Sequence, residues 1–459
     1  MKPMIYDKNF SHLNRATDPR AMAVAFDKFF EREYPDLELT VECCEINRVY
    51  HKPGKKCDIT YQVFGNDGQR QSYTQWFYGV MFKDGEKKFP NLETMPENWP
   101  GCGHWKPFSI LPEMNMALYA FPYNRKMPYL SQLLDKEFIK GKIESNLDGF
   151  GLQKAWQCQE IDIEKLKYRH GKSCVLRYHT VLQNEAGKRL PISFFSKTYA
   201  TGLSKYVYDA LSAICQQTVQ QSNVLNIPQP IAHIDETNTL WQQEWKGKSL
   251  RSFGEEFGWG GFLASDLIPK IAQMLAELHC LNVPNISLDS GPSIEDVLTE
   301  ASDKVSKINK HLPGYEHQLK KILTAIKQAT ENCAEKSAPG IIHGTFKLSQ
   351  ILHNEGQLAL IDFDAVALGD PLYDVAEYIA SVKFLVVTED ISPEVVKQSI
   401  EKFLAEYRKH IAFDYDRQRL SVYVAAFLLG KTHALLKKLE SRSDAVISGV
   451  FNLFKTVVL

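Results

Sequence analysis

Asp362 and Asp364 sit at the exit of a short apolar run, Gln357 to Phe363, which is entered through the turn-forming Asn354-Glu355-Gly356. Two carboxylates two residues apart share one face while a strand lasts and diverge once it has ended. At the exit, one is placed to hold a metal ion and the other to share it or to brace the loop. Upstream, Ile341-Ile342 reads as a strand leading into a tight turn at His343-Gly344. The polar loop that follows carries His343, Lys347 and Gln350 and can face the same metal. An acid on one Mg²⁺, an amide on a second and a cation near the transferred phosphate are the parts that phosphoryl transfer needs. Downstream, Gly369-Asp370-Pro371 breaks the chain, and Leu372 to Tyr378 starts an amphipathic helix.

These blocks resemble the aminoglycoside phosphotransferase and choline kinase family, which has the protein-kinase-like fold. That family carries H-G-D-x-x-x-x-N, then I-D-F/W-[DE], then G-D-P-x-x-D-[LV]-A. The chain has His343-Gly344-Thr345-Phe346-Lys347-Leu348-Ser349-Gln350, then Ile361-Asp362-Phe363-Asp364, then Gly369-Asp370-Pro371-Leu372-Tyr373-Asp374-Val375-Ala376. The resemblance implies ATP and Mg²⁺ as cofactors and a small-molecule hydroxyl as acceptor. It makes Asp362 the metal ligand, Asp364 a secondary one, and places Gln350 on the family's metal-binding Asn. The family's catalytic Asp falls on Thr345, and Lys347 stands where protein kinases keep the lysine that reaches the transferred phosphate. Thr345 cannot act as a carboxylate base. A base contributes about 10²- to 10⁴-fold, and positioning with charge stabilisation supplies most of the rate. Two functions therefore stand: an ATP-dependent phosphotransferase, or a pseudokinase that binds a nucleotide or other ligand without transferring phosphate.

Before this stretch the chain has the features of a kinase small lobe. A turn at Gly171-Lys172 precedes a strand from Ser173 to Leu182, and a hairpin at Asn184 to Lys188 leads into a strand from Ile192 to Ala200. That last strand holds one lysine, Lys197, in an apolar and aromatic run, and such a cation is usually paired or faces a ligand. By resemblance, Lys197 holds the α- and β-phosphates of ATP, Gly171 and Lys172 join the nucleotide contacts, and Glu244-Trp245 belong to the hinge whose backbone binds adenine. The following helix, Ser204 to about Gln221, offers only Asp209 as the acid that would pair the lysine. A helix from Asp266 ends at His279, which reads as a packed structural residue. Gly291 to Lys336 is a charged helical insertion of the kind that holds the acceptor pocket in related kinases. Later helices span about Pro393 to Ile411 and Arg417 to Lys438, with a last apolar segment from Val446 to Leu459. The basic residues Lys431, Lys437, Lys438 and Arg442 argue against a polycationic acceptor.

The N-terminal region repeats the small lobe. His51 to Tyr61 aligns without gaps to Tyr168 to Tyr178, with Gly, Lys, Cys and Tyr coinciding, and the same offset puts Val80 on Lys197. A helix is expected over Asp18 to Arg32, with Ala21, Val24, Ala25, Phe29 and Phe30 on its apolar face, and strands over Leu37 to Tyr50, Asp58 to Phe64, Tyr73 to Phe82 and Ala117 to Phe121. A helix starts at Tyr129, and Lys83 to Pro107 reads as a long exposed loop. Since Val80 replaces the lysine, the extension is expected to have no nucleotide site and to cover or extend the small lobe.

The expected fold class is α+β: a protein-kinase-like two-lobe fold with a β-rich small lobe (146–246), a helical large lobe (247–459) and an N-terminal extension (1–145) resembling a second small lobe. A hydrophobic content of 44% and a charged content of 24% are those of a globular protein. A net charge of −1 gives no reason to expect nucleic acid or an acidic membrane surface. No apolar run is long enough for a transmembrane helix, and the start lacks a signal-peptide core. Nine scattered cysteines without a Cys-x-x-Cys pair read as reduced, cytoplasmic thiols.

Overall fold

The computed structural model describes residues 7–457 except 53, 86–95, 154, 285, 334–338, 414–415 and 438–443. The chain divides into two compact units, Met1–Lys205 with Ile231–Trp241, and Tyr206–Pro230 with Gln242–Leu459. The expected boundary at 145/146 thus lies inside the first unit. The expected basic residues Lys438 and Arg442 lie outside the described residues. Among the described residues no helix is long and apolar enough to cross a membrane.

The first unit opens with α1 (Leu13–Ala16) and α2 (Pro19–Glu33). Asp18 caps α2 by accepting the Ala21 N–H at 2.8 Å, and Pro19 occupies the first turn, where a missing N–H costs nothing. The helix buries Met22, Ala25, Phe26, Phe29 and Phe30 on a five-stranded antiparallel sheet. Val24, expected on that apolar face, is 57% exposed, because the buried stripe runs through Met22, Phe26 and Phe30 instead. The sheet comprises β1 (Thr40–Lys52), β2 (Lys56–Asn66), β3 (Ser72–Met81), β4 (Phe108–Leu111) and β5 (Met116–Ala120), in the order β1-β2-β3-β5-β4. The expected exposed loop is in part a packed one. Cys102 and Trp105 are buried, Trp105 lying 5.2 Å from Phe30 and 5.7 Å from Phe77 between ring centroids. Its residues 86–95 lie outside the described ones. The helix expected from Tyr129 is a 3₁₀ segment, Pro128–Leu134, followed by α3 (Lys136–Ser145).

A second five-stranded sheet repeats this topology. It holds β6 (Trp156–Arg169), β7 (Ser173–Asn184), β8 (Arg189–Tyr199), β9 (Pro230–Ile234) and β10 (Thr239–Gln243), in the order β6-β7-β8-β10-β9. The registers correspond: Asp58 faces Val80 across β2 and β3 as Val175 faces Lys197 across β7 and β8. The last hairpin of each sheet turns through a 3₁₀ segment ending in a left-handed asparagine, Asn115 (φ 47°) or Asn238 (φ 48°). The two copies share one core. Trp76, Phe121, Met127, Leu130 and Leu133 pack in the same cluster as Cys158, Tyr168, Tyr178 and Trp241. Two buried hydroxyl groups are satisfied across it: Tyr178 Oη donates to the Leu133 carbonyl at 2.8 Å, and Tyr168 Oη accepts from Asn124 Nδ2 at 3.0 Å.

The second unit is largely helical. In chain order it contains α4 (Leu203–Gln221), which starts in the first unit, then β11 (Lys248–Ser249), α5 (Leu250–Phe257), α6 (Trp259–Ala264), α7 (Leu267–Cys280), α8 (Ile294–His311) and α9 (Glu316–Glu331). These are followed by β12 (Gly340–Ile342), β13 (Ile351–Asn354), β14 (Gln357–Leu360), β15 (Ala367–Gly369), α10 (Leu372–Thr388), α11 (Pro393–His410), α12 (Arg417–Lys437) and α13 (Asp444–Lys455). α10 differs from the amphipathic helix expected. Leu372 and Asp374 to Ala380 are all buried, because α10 packs against α11, α12 and α13 and so has little face left for water.

Candidate functional site

Two small sheets hold the loop that carries His343, Thr345, Lys347 and Gln350. β12 pairs with β15, Ile341 facing Leu368, so the two ends of the segment are tied together. β13 and β14 form a hairpin whose turn residues, Glu355 and Gly356, both have positive φ (47° and 81°), the backbone of a two-residue hairpin turn. The strand expected to reach Phe363 stops at Leu360. Asp362 then takes φ 71°, a left-handed conformation that a non-glycine residue adopts at a cost. Gly344 (φ 77°) could carry no side chain, since a Cβ there would lie 2.2 Å from the Ala365 carbonyl oxygen.

Asp374 pins the start of the loop. It is fully buried at the first turn of α10 and accepts the backbone N–H of His343 at 2.6 Å and of Gly344 at 2.9 Å. Its carboxylate also meets His279 Nε2 at 3.3 Å, and His279 Nδ1 lies 2.6 Å from Tyr407 Oη. His279 is therefore the packed structural residue that the sequence implied. Asp370, one turn earlier, accepts the Leu372 N–H at 3.0 Å and lies 3.3 Å from Arg419 Nη1. The sequence marked the Gly-Asp-Pro-x-x-Asp block without assigning these two acids. Their jobs depend on Arg419 and on backbone amides brought from elsewhere in the chain.

The side chains of the loop form a chain of hydrogen bonds. His343 is fully buried, and its Nε2 lies 2.9 Å from the Ile361 carbonyl, which can only accept. Nε2 therefore carries the proton and Nδ1 is left to accept. Burial holds the imidazole below its ordinary pKa, against the raising effect of the Asp374 carboxylate. Thr345 Oγ1 lies 3.4 Å from that Nδ1. Gln350 Nε2 donates to Thr345 Oγ1 at 3.0 Å and to Asp362 Oδ2 at 3.3 Å. Gln350 Oε1 is buried and has no hydrogen-bond partner among the described residues. A buried carbonyl oxygen without a partner, two residues' reach from a carboxylate, fits a hard cation such as Mg²⁺, which takes oxygen ligands. The loop thus brings His343, Thr345, Gln350 and Asp362 together, with Asp364 partly buried two residues beyond.

Lys347 opens onto a cavity of about 480 Å³ that also touches Arg251, Ser349, Ser381, Glu389 and Lys431. Its walls come from α5, α10, α12 and α13. The insertion at α8 and α9, expected to hold an acceptor pocket, contributes none of its lining. Lys431 Nζ donates to Ser381 Oγ at 2.7 Å. Burial pushes the Glu377 carboxyl up to about 7, opposed by the Lys431 and Lys347 cations, and pushes Lys431 down to about 8. A carboxyl and an ammonium so displaced beside a cavity mark a candidate site. Glu377 does not stand out in the sequence, and Lys431 is marked there only as one of several basic residues.

In the first unit, Lys197 lies on β8 opposite Val175, its Nζ 5.4 Å from the Tyr199 ring centroid. The Gly171-Lys172 turn is tight: Gly171 has φ 66°, and the Lys172 N–H is committed to the Arg169 carbonyl at 2.9 Å. Gly171 and Lys172 line a cleft together with residues of the N-terminal sheet. Glu244 and Trp245 follow the end of β10, both partly buried. Groups of three or more His, Cys, Asp or Glu side chains at metal spacing do not occur among the described residues, so any metal here relies on the mixed set of Asp362, Asp364 and Gln350.

Residues 209–419 match the model of the phosphotransferase enzyme family (APH), and over this stretch the resemblance to aminoglycoside phosphotransferases and choline kinases is confirmed. The fold is, as expected, mixed α and β, with antiparallel sheets and a helical part. Similar solved structures include an aminoglycoside phosphotransferase, APH(3'')-Id, from Streptomyces rimosus, at 16% identity over 62% of this chain and 96% of that one, with a TM-score of 0.38. A choline kinase from Cryptosporidium parvum is 14% identical over 70% of this chain and 94% of that one, with a TM-score of 0.41. A choline/ethanolamine kinase family protein from Mesorhizobium loti is 12% identical over 61% and 84%, with a TM-score of 0.38. No curated protein matches the chain.

Proposed function

We propose that the chain is an ATP-dependent phosphotransferase acting on the hydroxyl group of a small molecule. The observation that carries this reading is the loop from His343 to Asp362, in which Gln350 ties Thr345 to Asp362 and keeps a buried oxygen without a partner. Asp362 would hold Mg²⁺, with Gln350 and Asp364 as further oxygen ligands. Bound there, Mg²⁺ supplies neutralisation of the phosphate charge. Lys197 would hold the α- and β-phosphates, Gly171 and Lys172 would add contacts to the nucleotide, and the backbone at Glu244-Trp245 would take the adenine.

Thr345 and His343 together replace the missing carboxylate. The acceptor hydroxyl gives its proton to Thr345 Oγ1 while the proton of Thr345 passes to His343 Nδ1, so the proton ends on the imidazole. Burial opposes that charged form, and the Asp374 and Asp362 carboxylates partly offset it. Lys347 would meet the transferred phosphate, and the cavity beside it would take the acceptor. Arg251, Lys347 and Lys431 line that cavity against Glu389, which disfavours a polycationic acceptor. The nine cysteines are all free thiols, in keeping with a cytoplasmic protein.

A second reading, a pseudokinase, is favoured by one observation: Thr345 presents a hydroxyl where the family has a carboxylate. The two are separated by measuring ADP release with Mg²⁺-ATP across a panel of hydroxylated metabolites. Acceptor-dependent ADP supports the enzyme, and nucleotide binding without any ADP release supports the pseudokinase.

A further inference from the structure

The first unit contains a cleft of about 520 Å³, of whose lining the phosphotransferase reading uses only Gly171 and Lys172. The N-terminal sheet and its following loop give it Arg48, Lys52, Lys56, Arg125 and Lys126, and the β6–β7 turn adds Arg169 and Lys172. These seven cations face one carboxylate, Asp58, which pairs with Lys56 at 2.6 Å. The whole chain carries a formal net charge of −1, so the cleft is a local concentration and not a share of a general excess. The cations converge from β1, the β1–β2 turn, the loop after β5 and the β6–β7 turn, segments far apart in sequence. A solvated basic face needs no such convergence into a concavity.

The floor of the cleft is stiff. His170 stacks on Tyr78 with centroids 4.2 Å apart and planes 5° from parallel, and its Nδ1 lies 2.8 Å from Tyr168 Oη. Tyr119 lies 5.3 Å from the same imidazole. On β1, Arg48 and Lys52 flank the Tyr50 ring at 5.8 Å and 5.5 Å. Burial, helped by the Lys56 and Lys126 cations, pushes His170 down to about 4. Held cations that repel one another cost stability unless an anion joins them, and a cleft with fixed donors loses little freedom on binding one. The cleft also opens on the face of the N-terminal sheet that carries Val80, the counterpart of Lys197. The expectation of no nucleotide site there rested on Val80 alone, and seven cations line the same cleft.

We infer that this cleft binds a small molecule carrying two or more phosphate groups. The volume is that of a small-molecule site, and phosphate matches both the arginine forks and the lysine point charges. The site shares Gly171 and Lys172 with the residues proposed for ATP but includes neither Lys197 nor Asp362, and it does not depend on catalytic activity.

Calorimetric titration of the full chain with inorganic tripolyphosphate, without divalent cations, tests it. The parent is expected to bind at one site, weakening steeply as salt rises. The triple variant Lys52→Gln, Lys126→Gln and Arg169→Gln, all exposed positions, should bind about 30-fold more weakly or worse, since three charges near the ligand are lost. Asp58→Asn, which removes the one repelling carboxylate, should bind about threefold more tightly. Asp362→Ala should bind within twofold of the parent. No binding by the parent, a triple variant within threefold of it, or loss of binding in Asp362→Ala overturns the inference. A single-stranded oligonucleotide bound more tightly than tripolyphosphate overturns it in favour of nucleic acid. In the Asp362→Ala chain, ATP tighter than tripolyphosphate identifies a nucleotide source and equal affinity a non-nucleotide one, and both support the site.

Discussion

Gln350 Nε2 donates to Thr345 Oγ1 at 3.0 Å, and this contact fixes the hydroxyl proposed to stand in for a catalytic carboxylate. The same amide nitrogen reaches Asp362 Oδ2, so the proposed proton acceptor and the proposed metal ligand are positioned by one side chain. Thr345→Val removes the hydroxyl and keeps the shape. Turnover is expected to fall about 10²-fold or more while Mg²⁺-ATP still binds. Thr345→Asp would set a second carboxylate against Asp362 across Gln350, and the repulsion is expected to weaken metal binding and lower turnover. Steady-state rates with one acceptor, beside calorimetric nucleotide affinities, check both. A rise in Thr345→Asp would show instead that the site is a carboxylate-dependent kinase that has lost its base.

Asp374 is buried, ionisable and shared by three donors, two of them backbone amides of the catalytic loop. Asp374→Ala leaves those donors without a partner in a dry site. Urea unfolding should show a loss of about 3 kcal/mol or more, with activity lost as well. Asp374→Asn keeps an acceptor and should lose less.

Much of this was legible before the fold was known, and the exceptions have a common cause. Asp362, Gln350 and Thr345 could be singled out together because their block spacing is local, and the loop brings them within hydrogen-bond reach. The repeat was found because Gly, Lys, Cys and Tyr recur at one offset, and the two sheets keep that register. Asp374 as a clamp, the displaced Lys431 and Glu377, and the cations of the N-terminal cleft were not legible as a set. Each acts through partners distant in sequence, such as Arg48 and Lys172, which only the paired sheets bring to one cleft. α10 was misread as amphipathic because its polar residues, Asp374 and Glu377, are buried with partners and do not mark a wet face.

Glu377 sets a pH dependence. Its folded pKa, raised by burial to about 7, lies above the unfolded value of 4.5, so the protonated form is favoured in the fold. Its contribution is fully present below pH 4.5 and is lost as pH rises through 7. Lys431 acts at higher pH: its folded pKa of about 8 lies below 10.5, so its contribution is present above 10.5 and is lost as pH falls through 8. Glu377→Gln should flatten the fall in stability between pH 4.5 and 7 and be more stable than the parent at pH 8, by up to about 3 kcal/mol. Thermal unfolding across pH checks the slope.

The extension and the second sheet share a core, so a chain beginning at residue 146 would expose Tyr178, Trp241 and their neighbours where Trp76, Met127 and Leu133 now cover them. It would also lose the Tyr178–Leu133 hydrogen bond. Such a chain should be insoluble or melt far below the parent. Unchanged solubility and melting would mark the extension as an independent domain.

The most direct test of the phosphotransferase reading is acceptor-dependent ADP release from Mg²⁺-ATP by the parent and by Asp362→Ala, with nucleotide binding measured on the same samples. The parent is expected to release ADP with at least one hydroxylated acceptor, and Asp362→Ala to lose both turnover and metal-dependent ATP binding. ATP binding by the parent with no ADP release across the panel, or equal Mg²⁺-ATP binding by Asp362→Ala, would contradict it.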